Sequence, residues 1–277
     1  MRAGLFTLMR RSRACTLGGI LVLAVVLVAV AAPVLSPRDP VRQNLPGALQ
    51  PPSATFLLGT DQYGRDLLSR IIWGARISLL IGVIAVILGS FLGLLLGLTA
   101  GFYGGGVDRV LSRVIDSLLA FPGLLLALSV MAMLGANVGN AMIAVGISSS
   151  PRFARVIRGQ VLSVGGKDFV EAARVVGASD LRIILRHILP NVLSPILVVA
   201  TLGVGTAILT EANLSFLGLG VQPPTPTWGS MVSEGRVFVG TAFWVSLFPG
   251  IAIALTVLGF NLLGDGLRDV LDPRLRK

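Results

Sequence analysis

Charge disappears from this chain over long intervals, and those intervals limit its fold more than any other feature. Five long apolar stretches carry no Asp, Glu, Lys or Arg: 14–37, 77–107, 117–151, 188–210 and 237–264. A helix on the surface of a soluble protein keeps a polar face toward water, so runs like these have no place there. A bilayer reverses the requirement. About 20 apolar residues cross its hydrocarbon core, and their backbone groups must be satisfied within the segment, which selects helices. Four of the runs suit one span each. The run 117–151 is too long for one and divides at Gly135-Ala136-Asn137, its second span continuing past Arg152. The expectation is an all-α polytopic membrane protein with six spans, near 16–35, 77–100, 115–135, 139–158, 191–213 and 240–263. Of the 277 residues, 54% are hydrophobic and 13% charged, where soluble domains carry about a quarter charged.

The net charge of +10 raises nucleic acid as a partner, but the cations are distributed by membrane side. With the N-terminus inside, all but six of the 23 basic residues fall on cytoplasmic segments, the exceptions being Arg38, Arg42, Arg65, Arg70, Arg76 and Arg236. This is the positive-inside bias, and it places both termini in the cytoplasm and argues against nucleic acid. Arg10, Arg11 and Arg13 precede the first apolar run, as in a signal peptide. That run is too long for a typical signal core and lacks a small-x-small ending, so an uncleaved anchor is expected. Cys15, the single cysteine, excludes an internal disulfide and reads as an inert residue at the start of span one.

Two domains follow: 1–76, an anchor helix with an extracytoplasmic segment, and 77–277, a five-helix core. The extracytoplasmic segment is proline-rich at first, then reads Leu58-Gly59-Thr60-Asp61-Gln62-Tyr63-Gly64-Arg65-Asp66. Asp66 suits the N-cap of a short interfacial helix containing Leu67, Ile71 and Trp73. In span two, Gly89, Gly93, Gly97 and Gly101 recur every fourth residue. On a helix they form one ridge without side chains, which lets another helix approach closely. Asp116 is within helical reach of Arg109 and Arg113. Glu211, near the outer end of span five, suits a local hydrogen-bonding role. The outer stretch 214–229, with Pro223, Pro224, Pro226 and three glycines, cannot be a span, and Trp228 is its candidate packing anchor. Phe121, Asn213 and Trp228 are readable as path, gate or packing residues.

Between spans four and five lies a hydrophilic island at about 165–190. Asp168 to Val176 suits a short helix, Gly177 a bend that a Cβ resists, and Ser179 an N-cap with Asp180 in the first turn. Leu181, Ile184, Leu185, Ile188 and Leu189 then form one apolar face, and Pro190 marks a boundary or kink. A helix–turn–helix at the membrane surface is a shape that docks a soluble partner.

Several chemistries are missing. Gly166-Lys167 lacks the upstream glycine and the following Ser or Thr of a P-loop. With one histidine, one cysteine and no clustered carboxylates, neither a catalytic nor a metal site is expected. The chain moves or holds something with energy supplied elsewhere. The spans show no charged cluster that reads as a ligand site, which suits cargo of varied side chains.

The island, with Glu171, Ala172, Ala173, Gly177, Ala178, Leu189 and Pro190, resembles the E-A-A-x-x-x-G loop of membrane subunits from binding-protein-dependent ABC importers. His187 departs from the general pattern, which has an apolar residue there. The Gly59–Asp66 run, the outer stretch 214–229 and the ending from Asn261 to Arg274 resemble the second membrane subunit of dipeptide and oligopeptide importers. The resemblance covers about 36–276. It implies the type I importer permease fold, in the cytoplasmic membrane of a prokaryote. It implies a homologous second permease as heterodimer partner, two ABC ATPase subunits holding ATP and Mg, and an extracytoplasmic substrate-binding protein. The island would dock on an ATPase subunit, and Pro223, Pro224 and Trp228 would face the binding protein. Short peptides are the implied cargo; nickel chelates and glutathione are carried by permeases with the same motifs. A secondary transporter, which needs intramembrane ionisable groups, and a membrane scaffold are the rival classes.

Overall fold

A row of glycines sets how the helices meet. The computed structural model describes residues 13–271, so Arg2, Arg10, Arg11, Asp272, Pro273, Arg274, Arg276 and Lys277 lie outside the described residues. The main helices are α1 (Arg13–Val30), α2 (Leu67–Tyr103), α3 (Gly105–Ala120), α4 (Gly123–Leu134), α5 (Val138–Gly165), α6 (Asp168–Val175), α7 (Leu189–Phe216), α8 (Trp228–Gly235) and α9 (Trp244–Leu271). Gly89 of α2 faces Gly146 and Ser149 of α5, Gly93 faces Phe153 and Ala154, Gly97 faces Ala154 and Ile157, and Gly101 faces Val161. A Cβ on Gly97 would lie 2.6 Å from the Ala154 carbonyl oxygen, and one on Gly101 2.8 Å from Val161 Cβ. The two backbones therefore touch. In lipid, where burial of apolar surface gives no drive to associate, such close van der Waals contact is a main source of helix pairing.

The same contacts give direction. Numbers rise together along the α2–α5 seam, so these helices are parallel. Gly82 meets Ile208 and Gly203 meets Val86, so α7 opposes α2. Gly205 meets Val257 while Gly264 meets Leu202, so α9 opposes α7. Gly266 meets Cys15 and Gly259 meets Val22, so α1 opposes α9. One face of the bundle thus holds the start of α1, the ends of α2, α5 and α9, and the 166–188 loop. We term it the terminal face. The distal face holds 31–66, 135–137 and 217–243.

The span boundaries differ from expectation in instructive ways. The interfacial helix and span two are one 37-residue helix, about 55 Å long. Its N-cap is Asp66, whose carboxylate accepts from the Ser69 backbone N–H at 2.9 Å. The expected span at 115–135 is broken: α3 and α4 meet at 91°. Pro122 has no N–H and forces Phe121 out of helical geometry, to φ −82° and ψ 136°. With 12 residues, α4 reaches only ~18 Å into the bilayer from the distal face. By length and composition four helical stretches suit spans, Arg13–Val30, Leu67–Tyr103, Asp180–Phe216 and Trp244–Leu271, with the bent α3–α4 pair a fifth. The helix α5 is long enough but carries Arg152, Arg155 and Arg158; it runs through the same slab alongside α2. Pro190 does not end a helix: Leu189 before it keeps helical geometry, φ −53° and ψ −46°, and the π turn Ile184–Ile188 runs directly into α7.

Filling the seam should break it. We expect Gly93→Leu to destabilise the chain by about 1–3 kcal/mol through overpacking, seen as a lower melting temperature and lower yield in mild detergent. Gly159→Leu, on α5 but away from the seam and with nothing near its Cβ position, should leave both unchanged.

Candidate functional site

The 166–188 loop is anchored by four buried residues and exposes most of the others. Val170, Ala173, Ile183 and Ile188 are buried against the core, and Ala178 and Leu189 pack partly against it. Arg174 lies over the Phe102 ring at 5.6 Å, fastening the loop to the end of α2. After α6, the Ala178 N–H donates to the Ala173 carbonyl and the Gly177 N–H to that of Arg174, both at 3.0 Å. This paired closure needs a left-handed residue at its corner, and Gly177 supplies it with φ +78°. Nothing stands within 4 Å of the Gly177 Cβ position, so backbone conformation alone demands glycine.

The loop's tip is apolar and bare. Val175 is 87% exposed and Val176 80%. Glu171, Ala172 and Gly177 are exposed beside them, with Leu181 and Leu185 further along. The Ala172-Ala173 pair is split: Ala172 faces out, and Ala173 turns into the core, which removes it from the docking surface expected of it. The single apolar face expected for 181–189 is also divided. Asp180–Ile183 is one α turn, and Ile184–Ile188 is a wider π turn whose extra residue shifts the helical phase. Ile183 and Ile188 consequently point inward while Leu181 and Leu185 point out. Ser179 occupies the N-cap but makes no side-chain cap bond.

On the terminal face α3 is tied to α5 by ion pairs. Arg158 Nη2 donates to Asp108 at 2.7 Å, and Arg155 to Asp116 at 2.6 Å. Asp116 therefore pairs across helices rather than with Arg109 or Arg113.

The distal face is held by a buried charge cluster that sequence spacing did not disclose. Arg65 and Arg70, 2% and 1% exposed, sit with Asp61, 2% exposed. Arg65 pairs with Asp61 and, at 2.8 Å, with Glu234 of α8. Arg70 Nε lies 3.4 Å from the same Asp61 oxygen. Gly64 makes the local turn possible: its φ is +69°, and a Cβ there would collide with the Asn44 carbonyl. Only Asp61 and Arg65 share a local motif; Glu234 is far away in sequence, and no spacing rule joins it to them. Trp228 is a second fastening. Its indole N–H donates to the Ile71 carbonyl at 3.0 Å, its backbone N–H to Ser78 Oγ at 3.2 Å, and it is 2% exposed. That burial fits a packing anchor and takes Trp228 away from the outer contact surface. Pro223 and Pro224 remain exposed. Glu211, 1% exposed, accepts from Ser215 at 2.8 Å and from Thr227, the α8 N-cap, at 3.0 Å.

Helices that cross the membrane, a surface loop with a bare apolar tip and a fastened opposite face define an integral membrane transport subunit. The chain belongs to the family of binding-protein-dependent transport system inner membrane components, whose family model matches residues 93–277. The N-terminal TM domain of oligopeptide transport permease C matches residues 6–52. The chain is 46% identical over 271 residues to the dipeptide transport system permease protein DppC of Alkalihalophilus pseudofirmus, covering 98% of this chain and 89% of that one. It is 48% identical over 271 residues to the glutathione transport system permease protein GsiD of Escherichia coli O6:K15:H31, covering 96% and 88%. Among solved structures, an inward-facing MetNI methionine ABC transporter matches with a TM-score of 0.63 at 18% identity, covering 74% of this chain and 98% of that one. The fold is that of a type I ABC transporter permease, and the chain is an importer's membrane subunit.

The distal cluster makes a testable claim. Removing one partner of a buried ion pair typically costs about 3–5 kcal/mol. Asp61→Ala should lower the melting temperature and open the 36–66 segment to added protease. Asp39→Ala, in the same segment but exposed, should do neither.

Proposed function

We propose that this chain is one of two permease subunits of an ATP-driven importer of short peptides, and that its 166–190 loop docks on an ATPase subunit. The observation that carries the docking reading is the bare tip. Val175, Val176, Leu181 and Leu185 are apolar side chains in water, mounted on a buried base, and an apolar patch of this kind marks a contact surface. Glu171, Ala172 and Gly177 border the patch; Ala173, Ala178, Leu189 and Pro190 shape its base.

In this reading the terminal face, with its basic residues, is cytoplasmic, and both termini with it. Of the six cations expected outside, Arg65 and Arg70 are matched by Asp61 and Glu234, so the outer face is less positive than its count suggests. ATP and Mg bind the ATPase subunits. Closure of the motor pair moves the loop, and the helices attached to it alternate between inward-open and outward-open states; the loop is the contact that differs between them. A binding protein delivers cargo to the distal face, where Pro223 and Pro224 stand exposed.

The substrate reading rests on the relatives. The dipeptide permease of Alkalihalophilus pseudofirmus supports short peptides. Glutathione is the second reading, supported by the Escherichia coli relative, and as a tripeptide it belongs to the same chemical class. Both readings can be examined in proteoliposomes holding the complete importer. Uptake of labelled dipeptide is expected, with glutathione slower. Glutathione or a nickel chelate taken up in its place would refute the dipeptide assignment and leave the architecture standing. Gly177→Leu should assemble normally yet uncouple. The left-handed corner costs about 1–2 kcal/mol for a residue with a Cβ, so the tip is displaced and uptake per ATP hydrolysed should fall. Normal uptake by this variant would refute the docking assignment.

A further inference from the structure

Three arginines follow one another along α5 at every third residue, and one of them differs from the others. Arg158 and Arg155 are paired with Asp108 and Asp116. Arg152 has no ion pair or hydrogen bond among the described residues. It also lies deepest. It stands 14 residues beyond Val138, ~21 Å along the helix from the distal end, within a hydrocarbon core about 30 Å thick. Its neighbour Phe153 packs on Gly93, ten residues short of the end of α2. An unpaired guanidinium at this depth is costly, and residues of that kind mark functional paths.

Arg152 opens into a cavity of about 390 Å³ between α4, α5 and α7, within the size range of small-molecule sites. Phe121 and Pro122, at the 91° break, form one wall, and Ser148, Ser149, Thr206 and Thr210 line it as well. Each of these hydroxyls donates to a carbonyl of its own helix: Ser148 to Val145 and Ser149 to Gly146 at 2.9 Å, Thr206 to Leu202 at 3.0 Å, Thr210 to Thr206 at 2.8 Å. Their protons are committed, and their remaining lone pairs can accept. The cavity therefore joins a fork of donors that fits a carboxylate with a set of neutral acceptors that fits an ammonium or amide N–H.

We propose that this cavity is a transit site for zwitterionic peptides, in which Arg152 binds the C-terminal carboxylate and the Ser148, Ser149, Thr206 and Thr210 hydroxyls accept from the N–H groups. The site rests on the peptide-import reading and deepens it. The poverty of charge in the spans is thus incomplete: a single arginine supplies a recognition element common to all free peptides, independent of their side chains. By sequence, Arg152 counts among the cytoplasmic cations even though the span 139–158 runs past it.

The test uses the complete importer in proteoliposomes, with saturating loaded binding protein. The maximal uptake rate is measured for a labelled dipeptide and for its C-terminal amide, in wild type, Arg152→Gln and Arg152→Lys. One binding protein serves every variant, so its own preference cancels when the variants are compared. Arg152→Gln should slow the free acid at least ~10-fold, the order expected for one charge-assisted hydrogen bond, and leave the amide within about twofold. Arg152→Lys should fall between. Equal loss for both cargoes would overturn the proposal and assign Arg152 to a contact with the neighbouring permease. No change for either would overturn it and assign Arg152 to solvent or lipid headgroups. Wild-type importer that accumulates neither cargo would defeat the peptide reading, and this site with it; wild-type uptake with equal loss defeats this site alone. Equal yield of assembled complex and equal basal ATPase activity verify that Arg152→Gln is folded.

Discussion

Backbone contact between α2 and α5 is the constraint on which the rest of the structure depends. Without side chains at Gly89, Gly93, Gly97 and Gly101, the two helices lie against each other as one parallel rod pair. That pair spans the molecule. At its distal end, α2 carries the Asp66 cap, Arg70 of the buried charge cluster and the Ile71 carbonyl that holds Trp228. At its terminal end Phe102 lies under Arg174 of the loop, and α5 runs into the loop through Gly165, Gly166 and Lys167. A force applied to the loop tip therefore reaches the distal face through closely packed backbone. Interiors packed at this density transmit displacement instead of absorbing it. The proposed coupling of ATP hydrolysis to alternating access needs such a path.

The break at Phe121-Pro122 complements the seam. Because α4 is short and α3 turns away at 91°, the slab is incomplete beside α5. The cavity occupies that gap, with Arg152 of α5 on one side and Thr206 and Thr210 of α7 on the other. Rigid pairing on one face of α5 and an open flank on another are what a moving wall of a transport path requires.

Much of this was legible in sequence because membrane physics is local. Charge-free runs announced the helices, the fourth-residue glycine repeat announced a packing ridge, and Asp66 announced its own cap. Gly177 was readable as a bend because a left-handed corner between two helices favours glycine. Other features depend on contacts that no spacing encodes. Glu234 meets Arg65 and Arg70 only after the outer segment folds onto α8. The π turn at Ile184–Ile188 inserts an extra residue into the helical repeat, so Leu181 and Leu185 turn out where periodicity pointed them in. Arg152 is not set apart by sequence, where it counts with Arg155 and Arg158; the ion pairs of those two and the cavity beside Arg152 distinguish it. Pro122 was visible, but a proline in a span can kink a helix or end it, and tertiary packing decides which.

The most direct measurement asks what touches the loop tip. In a chain carrying Cys15→Ser, single cysteines are placed by Val176→Cys on the terminal face and by Gln222→Cys on the distal face. Each is presented to a short bifunctional cross-linker in the assembled importer. The account predicts an adduct between position 176 and an ATPase subunit, formed to a different extent with and without ATP, and no such adduct from position 222. Labelling of position 176 from outside intact cells, or an ATPase adduct from position 222, would contradict it.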